Sequence, residues 1–379
     1  MKYYSLKSIL SKNAQYNIIF GERSNGKTYA VLRYAIEQYI KNGKQLGIVR
    51  RWRDDFVGKR GVTMFDAIVS NGEIAKLSKG EWTNVYYYGS RWFLCRFEAG
   101  KRICDEIPFA YGFALTSMEH DKSTAYPNIT TICFDEFISR NAYLPDEFVL
   151  FMNVISTIIR QRKDVKIFML GNTVNKYCPY FEEMGIKHLK QMKQGDIDIY
   201  RFGDSDLIVA VEYVKPNKQG KESDLYFAFD NPKLSMITGG AWEIDVYPHC
   251  PIKYKPKDIV FNYYIVFSGD VLHCEIIAVD GMSFTFIHRK TTPLNYERDF
   301  IYTTEYSPRP NIKRNITKPR TNIEKRIAEY YLRDKIFYAD NEVGEVVRNY
   351  TVIGGVSSLI FILPSGSILY LFELPCLFM

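Results

Sequence analysis

Gly21-Glu22-Arg23-Ser24-Asn25-Gly26-Lys27-Thr28 follows a short apolar run, Tyr16 to Phe20, and opens a helical pattern that continues to about Ile40. Strand, glycine loop and helix in that order give the pattern G-x-x-x-x-G-K-[ST] a physical meaning. Gly21 and Gly26 let backbone N–H groups turn inward around phosphate oxygens with no Cβ in the way. The free N–H groups at the helix start face the same anion. In such a loop Lys27 reaches the β- and γ-phosphates and the Thr28 hydroxyl ligates Mg²⁺. The octapeptide therefore reads as a nucleotide cradle, with ATP and Mg²⁺ as the expected cofactors.

Outward from this loop, Gln45 to Val49 reads as a second buried strand ending in Arg50-Arg51-Trp52-Arg53. Residues just past a strand's C-terminal end line the ligand edge of an open α/β sheet. For these arginines nucleotide, DNA and plain solvent all stay open. Val62 to Gly80 is a mixed helical stretch, Val85 to Tyr88 and Arg91 to Phe97 form a hairpin around Gly89-Ser90, and Ala110 to Thr116 is a further strand. The run Ile129 to Phe134 then ends in Asp135-Glu136. About a hundred residues after a glycine loop, that strand tip supplies Asp135 for the Mg²⁺ shell and Glu136 to polarise the attacking water. Asp146 to Arg162 is a helix with acids in its first turn and an apolar face through Val149, Met152, Ile155, Ile158 and Ile159. Its closing Arg160-Gln161-Arg162 suits the macrodipole or supplies an arginine to the γ-phosphate of a neighbouring subunit. Lys166 to Leu170 is a strand ending at Gly171-Asn172-Thr173, which places Asn172 as a γ-phosphate sensor.

At 379 residues, two domains are expected. A net charge of +7 is compatible with a polyanionic partner without demanding one. Seven scattered cysteines with no C-x-x-C pair argue for reduced thiols and against a disulfide framework. His249-Cys250 and His273-Cys274 read as structural, because adjacent residues do not readily ligate one ion. The N-terminus lacks the apolar core of a signal peptide.

Organisation beyond about residue 204 is weaker. Residues 205–254, after a basic run at Lys187, Lys190 and Lys193, read as a linker. From Asp258 the texture becomes a meander: Ile259 to Phe267, Val271 to Val279 and Ser283 to His288, with turns at Ser268-Gly269-Asp270 and Asp280-Gly281-Met282. Ser307 to Arg326 holds seven basic residues against one acid, Glu324. Among them Lys313, Arg314, Lys318 and Arg320 are candidate DNA contacts. Asn322 to Phe337 reads as a helix. The tail, Thr351 to Phe372, runs 22 residues without a charge. Pro364-Ser365-Gly366-Ser367 is turn chemistry, which favours a hairpin over a membrane segment.

The chain resembles the DNA-packaging (encapsidation) ATPases of small podoviruses of the phi29 type. The segments that carry the resemblance are Ile18 to Thr28, Val49-Arg50-Arg51, Lys122 to Asn128, Thr131 to Phe137, Ile159 to Arg162, Asn172 and Pro179-Tyr180-Phe181. It is specific over about residues 10–185 and weaker over 255–350. The resemblance implies a P-loop NTPase domain of the additional-strand type (residues 1–204), a parallel sheet with helices on both faces. It also implies an α+β ribonuclease-H-like vestigial nuclease domain (255–350); the apolar tail (351–379) departs from the family and has no counterpart in it. The implied function is a motor ATPase that drives double-stranded DNA into a procapsid. Such motors are homo-oligomeric rings, expected as pentamers, docked on the portal in the host cytoplasm. Some relatives use a packaging RNA, and that partner stays open here. In the family pattern Arg160 acts in trans, Lys122 lies near the same subunit interface, and Lys27 offsets charge on the transferring phosphoryl. The rivals are a ring helicase or other translocase, and a nucleotide-stabilised assembly scaffold. The first meander strand, Phe261 to Phe267, carries no acidic residue, so nuclease activity is not expected.

Overall fold

The computed structural model describes residues 4–120, 124–140, 143–203, 205–215, 242–316, 318–354, 360–362 and 368–370. The chain divides into two compact units, Met1–Glu243 and Ile244–Met379.

The first unit is built on a ten-stranded sheet. In chain order its strands are β1 (Tyr16–Gly21), β2 (Gln45–Arg50), β3 (Asn84–Tyr88), β4 (Arg91–Glu98), β5 (Lys101–Cys104), β6 (Ala110–Ala114), β7 (Ile129–Asp135), β8 (Lys166–Asn172), β9 (Ile197–Arg201) and β10 (Ile208–Tyr213). The middle of the sheet, β6-β2-β7-β8-β1-β10, is entirely parallel. Antiparallel β9 closes one edge, and β4 with β3 and β5 closes the other. A parallel sheet covered on both faces needs strands that are apolar along their whole length. Accordingly Ile18 and Phe20 of β1 enter the core on one face, while Ile19 enters the core on the other.

The first face packs Phe151, Val154, Ile155 and Ile158 of α6 (Glu147–Ile159) together with Tyr180 and Phe181 of α7 (Pro179–Glu183). The second packs Val31, Leu32, Ala35 and Ile36 of α2 (Lys27–Asn42), with Ile9 of α1 (Lys7–Leu10) and the turn helices α3 (Lys59–Thr63), α4 (Asp66–Ser70) and α5 (Glu73–Leu77) nearby. Full burial of Phe20, Phe134, Phe151 and Phe168 stabilises the unit by at most about 1.5–3 kcal/mol for each ring. Helix α2 stops where Gly43 enters the left-handed region at φ +66° and donates its N–H to the Tyr39 carbonyl, 2.8 Å away.

Two expectations change. The first unit does not end at residue 204: β10 pairs with β1 from Tyr16↔Val209 to Phe20↔Tyr213, satisfying the edge of β1 that would otherwise be left open. The stretch Val62 to Gly80, read as mixed helical, holds the end of α3 with the short helices α4 and α5, and Gly72 at φ +66° separates the last two. In the second unit, the helix from Asn322 ends at Leu332 rather than Phe337. Asp334 takes a left-handed φ of +53°, and the aromatic run that follows pairs as a strand.

That second unit holds a six-stranded sheet. Strands β11 (Ile259–Phe267), β12 (Asp270–Val279) and β13 (Met282–Arg289) form an antiparallel meander. Its two tight turns put Ser268-Gly269 and Asp280-Gly281 at positive φ, the pattern that matches strand twist. Strand β14 (Ile301–Thr303) runs parallel to β11, β15 (Ile312–Lys313) parallel to β14, and β16 (Ile336–Tyr338) parallel to β13. Tyr263 packs edge-on against Tyr302, and Phe267 packs against Tyr350 of the helix Asn341–Gly354. Two short strands, β17 (Ile360–Ile362) and β18 (Ile368–Tyr370), pair antiparallel, the arrangement expected of a hairpin in the tail. Residues 364–367 lie outside the described residues. No helix among the described residues is long and apolar enough to cross a membrane.

Candidate active site

Strand β1 ends at Gly21, where a Cβ would lie 3.1 Å from the Cβ of Val214 and 3.3 Å from its carbonyl oxygen. Gly26 sits at φ +87° and launches α2 with no side-chain cap of its own, while the Lys27 N–H donates to Asn25 Oδ1 at 3.3 Å. Ser24 also takes a left-handed φ of +59°. The loop is anchored through the Tyr4 N–H, which donates to the Asn25 carbonyl at 3.1 Å. Asn25 is buried, and its Nδ2 has no hydrogen-bond partner among the described residues. An orphaned donor inside a glycine loop fits an absent anion.

Lys27 is buried at the start of α2. Its Nζ donates to the Glu22 carbonyl at 2.7 Å and to Asn172 Oδ1 at 3.2 Å. Asn172 reaches it because β8 lies beside β1 in register, Gly21 opposite Asn172. Burial pushes the ammonium pKa down to about 8, and the negative charges of Asp135 and Glu22 oppose that drop.

Strand β7 pairs with β8 on the side away from β1, Asp135 lying opposite Leu170. Thr28 Oγ1 donates to Asp135 Oδ1 at 3.1 Å, so the loop and the strand tip meet. Burial drives the Asp135 carboxyl upward; the Arg50 guanidinium pulls it back down, and the Glu136 carboxylate adds to the rise. Glu136 adopts a left-handed φ of +60°, a conformation of order 1–3 kcal/mol above the allowed basins for a residue with a Cβ. Its N–H donates to Asp135 Oδ1 at 3.1 Å, and its side chain is largely exposed.

Two arginines left open by the sequence find defined places. Arg50 ends β2, whose register with β7 sets Val49 opposite Phe134 and so brings Arg50 beside Asp135. Its Nη2 donates to Asp135 Oδ2 and its Nη1 to Glu136 Oε2, each at 2.8 Å. The guanidinium spans both carboxylates. Arg51 points into the core instead. It forks onto Glu147 at the start of α6 through Nε (2.7 Å) and Nη2 (2.8 Å), and Nη2 also donates to the Phe137 carbonyl at 3.0 Å. Sequence reasoning missed Glu147; an acid in the first turn of a helix usually means only dipole compensation.

Arg160 does not join these groups within one chain. It follows α6 at φ +53°, and its Nη2 donates to the Thr124 carbonyl at 3.3 Å. Nearby Arg162 donates to the carbonyls of Tyr126, Pro127, Ile129 and Ile158. Arg162 therefore sits by the first residue of β7, about 20 Å along that strand from Asp135 at its last, and Arg160 sits by Thr124 ahead of the strand. Lys122 lies outside the described residues. In the second unit, Lys313 pairs with Glu324 at 3.1 Å, while Arg314, Lys318 and Arg320 are exposed.

Loop, buried lysine, strand-tip acids and a polar side chain on the intervening strand form an arrangement able to hold an anion and a hard cation together. The family described as Podovirus DNA encapsidation protein (Gp16) matches residues 1–194, which contain all of these groups, and the chain belongs to that family. The DNA packaging protein of Bacillus phage phi29 is 32% identical over 184 residues, 47% of this chain and 49% of that protein. That of Bacillus phage B103 is 29% identical over 182 residues, 47% of this chain and 50% of that protein. The chain thus spans about half the length of the curated relatives it matches. Among solved structures, the Phi-28 gp11 DNA packaging motor is similar at a TM-score of 0.50 and 18% identity, covering 92% of this chain and 98% of that one; this is a likeness of fold.

Proposed function

We propose that this chain is the ATPase of a viral DNA-packaging motor, coupling ATP hydrolysis to movement of double-stranded DNA into a procapsid. The observation that carries the reading is the convergence of Thr28 on Asp135 and of Lys27 on Asn172 around one glycine loop. One strand separates the loop strand from the acid-ending strand, which supports a P-loop fold of the additional-strand type. Gly21 to Thr28 cradle the phosphates, and Lys27 offsets charge on the transferring phosphoryl. Thr28 and Asp135 offer the hard oxygen donors that Mg²⁺ takes, and a Mg²⁺ held there would neutralise phosphate charge. Glu136, exposed beside Asp135, orients the attacking water. Asn172 couples the phosphate state to β8. Arg160, remote from the carboxylates of its own chain, serves the site of a neighbouring subunit in a ring, expected to be a pentamer. Lys122 is assigned to the same interface.

For the second unit, the strand order β13-β12-β11-β14-β15, an antiparallel meander with two parallel additions, supports a ribonuclease-H-like domain. Its first strand lacks the carboxylate that two-metal cleavage needs, which supports loss of nuclease activity. DNA is gripped through its backbone, with Arg314, Lys318 and Arg320 the exposed candidates, so binding should weaken steeply with salt. Lys313, held by Glu324, is the weakest of the four assignments. The portal vertex of the procapsid is the proposed docking site.

The test is steady-state ATP hydrolysis with and without double-stranded DNA for wild type, Glu136→Gln, Arg160→Ala and a mixture of the two variants. DNA stimulation of wild type, two inactive single variants and a mixture that regains activity are expected. Hydrolysis indifferent to DNA and to both changes would remove the motor reading.

A further inference from the structure

The second unit holds a cluster that the packaging function does not use. In β12, His273 and Glu275 are two residues apart and so share a face of the sheet. The register of β12 with β13 sets His273 directly opposite His288. Strand alternation sends the neighbouring Cys274 to the other side, where it is fully buried. This is why adjacent His-Cys pairs misdirect a search for ligands in the sequence. One ligand atom from each of His273, Glu275 and His288 lies within 4.8 Å of the others. We propose that these three side chains form a binding site for one divalent transition-metal ion of the zinc class, clamping β12 to β13.

The surroundings orient two of the three ligands, His288 and Glu275, as a metal site requires. His288 Nδ1 lies 3.0 Å from the Arg289 carbonyl, which can only accept, so Nδ1 carries the proton. The Nε2 lone pair is then directed to the cluster, 3.8 Å from Glu275 Oε2. Tyr254 donates its hydroxyl proton to the same Oε2 at 2.5 Å, which fixes the carboxylate. His273 stacks on Tyr264 at 5.0 Å between ring centres. Its Nε2 lies 4.0 Å from Glu275 Oε1 and donates to Asn262 Oδ1 at 2.8 Å, a hydrogen bond that binding through this nitrogen exchanges for the ion. In a tetrahedral zinc site with bonds near 2.0–2.1 Å, ligand atoms stand roughly 3.3 Å apart, so small side-chain rotations close the cluster. Two imidazoles and one carboxylate suit zinc-class ions, whereas Mg²⁺ selects oxygen ligands. Lys290, whose Nζ lies 4.8 Å from the Tyr264 ring centre, is the nearby cation the ion must tolerate.

The proposal is independent of the motor reading, and its test does not use hydrolysis. Full-length chain stripped with a chelator is titrated with Zn²⁺, with Co²⁺ as a spectroscopic probe and Mg²⁺ as a control. Wild type should bind one equivalent of Zn²⁺. The Co²⁺ adduct should show ligand-field bands without a thiolate charge-transfer band, and excess Mg²⁺ should not compete. Loss of a supporting partner alone typically weakens metal affinity roughly 10–100-fold, so His273→Gln and His288→Gln should each lose at least that much. His249→Gln should bind as wild type does. Failure of the wild-type chain to bind Zn²⁺, binding that survives both variants, or a thiolate band would each overturn the proposal.

Discussion

Replacing Glu147 by Gln tests whether the chemistry at the tip of β7 rests on a buried ion pair. The Glu147 carboxylate accepts from Arg51 Nε (2.7 Å), Arg51 Nη2 (2.8 Å), the Tyr180 hydroxyl (2.8 Å) and the Leu144 N–H (2.7 Å). Its side chain is 1% exposed and that of Arg51 9%. Glutamine keeps the shape but strands a guanidinium without a counter-charge and turns an N–H₂ group toward donors. Breaking a buried pair in this way costs about 3–5 kcal/mol. For a unit of this size about 2–4 °C of Tm accompany each kcal/mol, so a fall of about 6–20 °C is expected by near-ultraviolet circular dichroism. Arg51→Met with Glu147→Leu, which removes both charges, should recover most of the loss. It should not recover hydrolysis, because Arg51 also ties the Phe137 carbonyl and, at 3.4 Å, that of Glu136. A fall below about 2 °C for Glu147→Gln, or a double variant no more stable than the single one, would refute the reasoning.

Lys27→Met should abolish hydrolysis yet stabilise the nucleotide-free chain. A pKa drop from 10.5 to about 8 corresponds to about 3 kcal/mol of unfavourable burial below pH 8. Because the folded state releases the proton first, wild-type stability should climb from about pH 8 toward 10.5 and approach the variant's, read as Tm against pH. Gly171→Ala places a Cβ 2.6 Å from Ile138 Cδ1 and 3.1 Å from the Phe137 ring, so it should displace the segment after Glu136 and slow hydrolysis, with a stability loss of about 1–3 kcal/mol in urea unfolding. Arg162→Ala takes a charged donor from four backbone carbonyls and should lower the urea midpoint, whereas exposed Arg160→Ala should leave it within about 0.5 kcal/mol of wild type.

The glycine loop and the Asp135-Glu136 strand tip were legible because each is a local pattern with a local cause. The β1 and β7 runs were equally plain, being apolar along their whole length as doubly covered strands must be. The position of Arg50 was not legible. It follows from the register of β2 against β7, and nothing within either segment encodes which strand becomes its neighbour. The same limit hid His273, Glu275 and His288, where one ligand comes from across the ladder. The helix from Asn322 was overextended because an apolar run of three residues fits either period; Asp334 at positive φ decided it. Strand β9 was missed because its pattern is short and largely exposed, and β10, although buried, because its six residues stand alone among polar neighbours.

Arg50 has a consequence for metal selectivity. Its guanidinium offsets one of the two negative charges of Asp135 and Glu136 within the chain itself, so on the proposed reading a bare Mg²⁺ meets a position whose charge is already partly compensated. Mg²⁺ arriving on a triphosphate brings anionic oxygens that can receive the displaced arginine. The site would then ignore the free ion and answer to the metal–nucleotide complex, a form of substrate discrimination written in one ion pair.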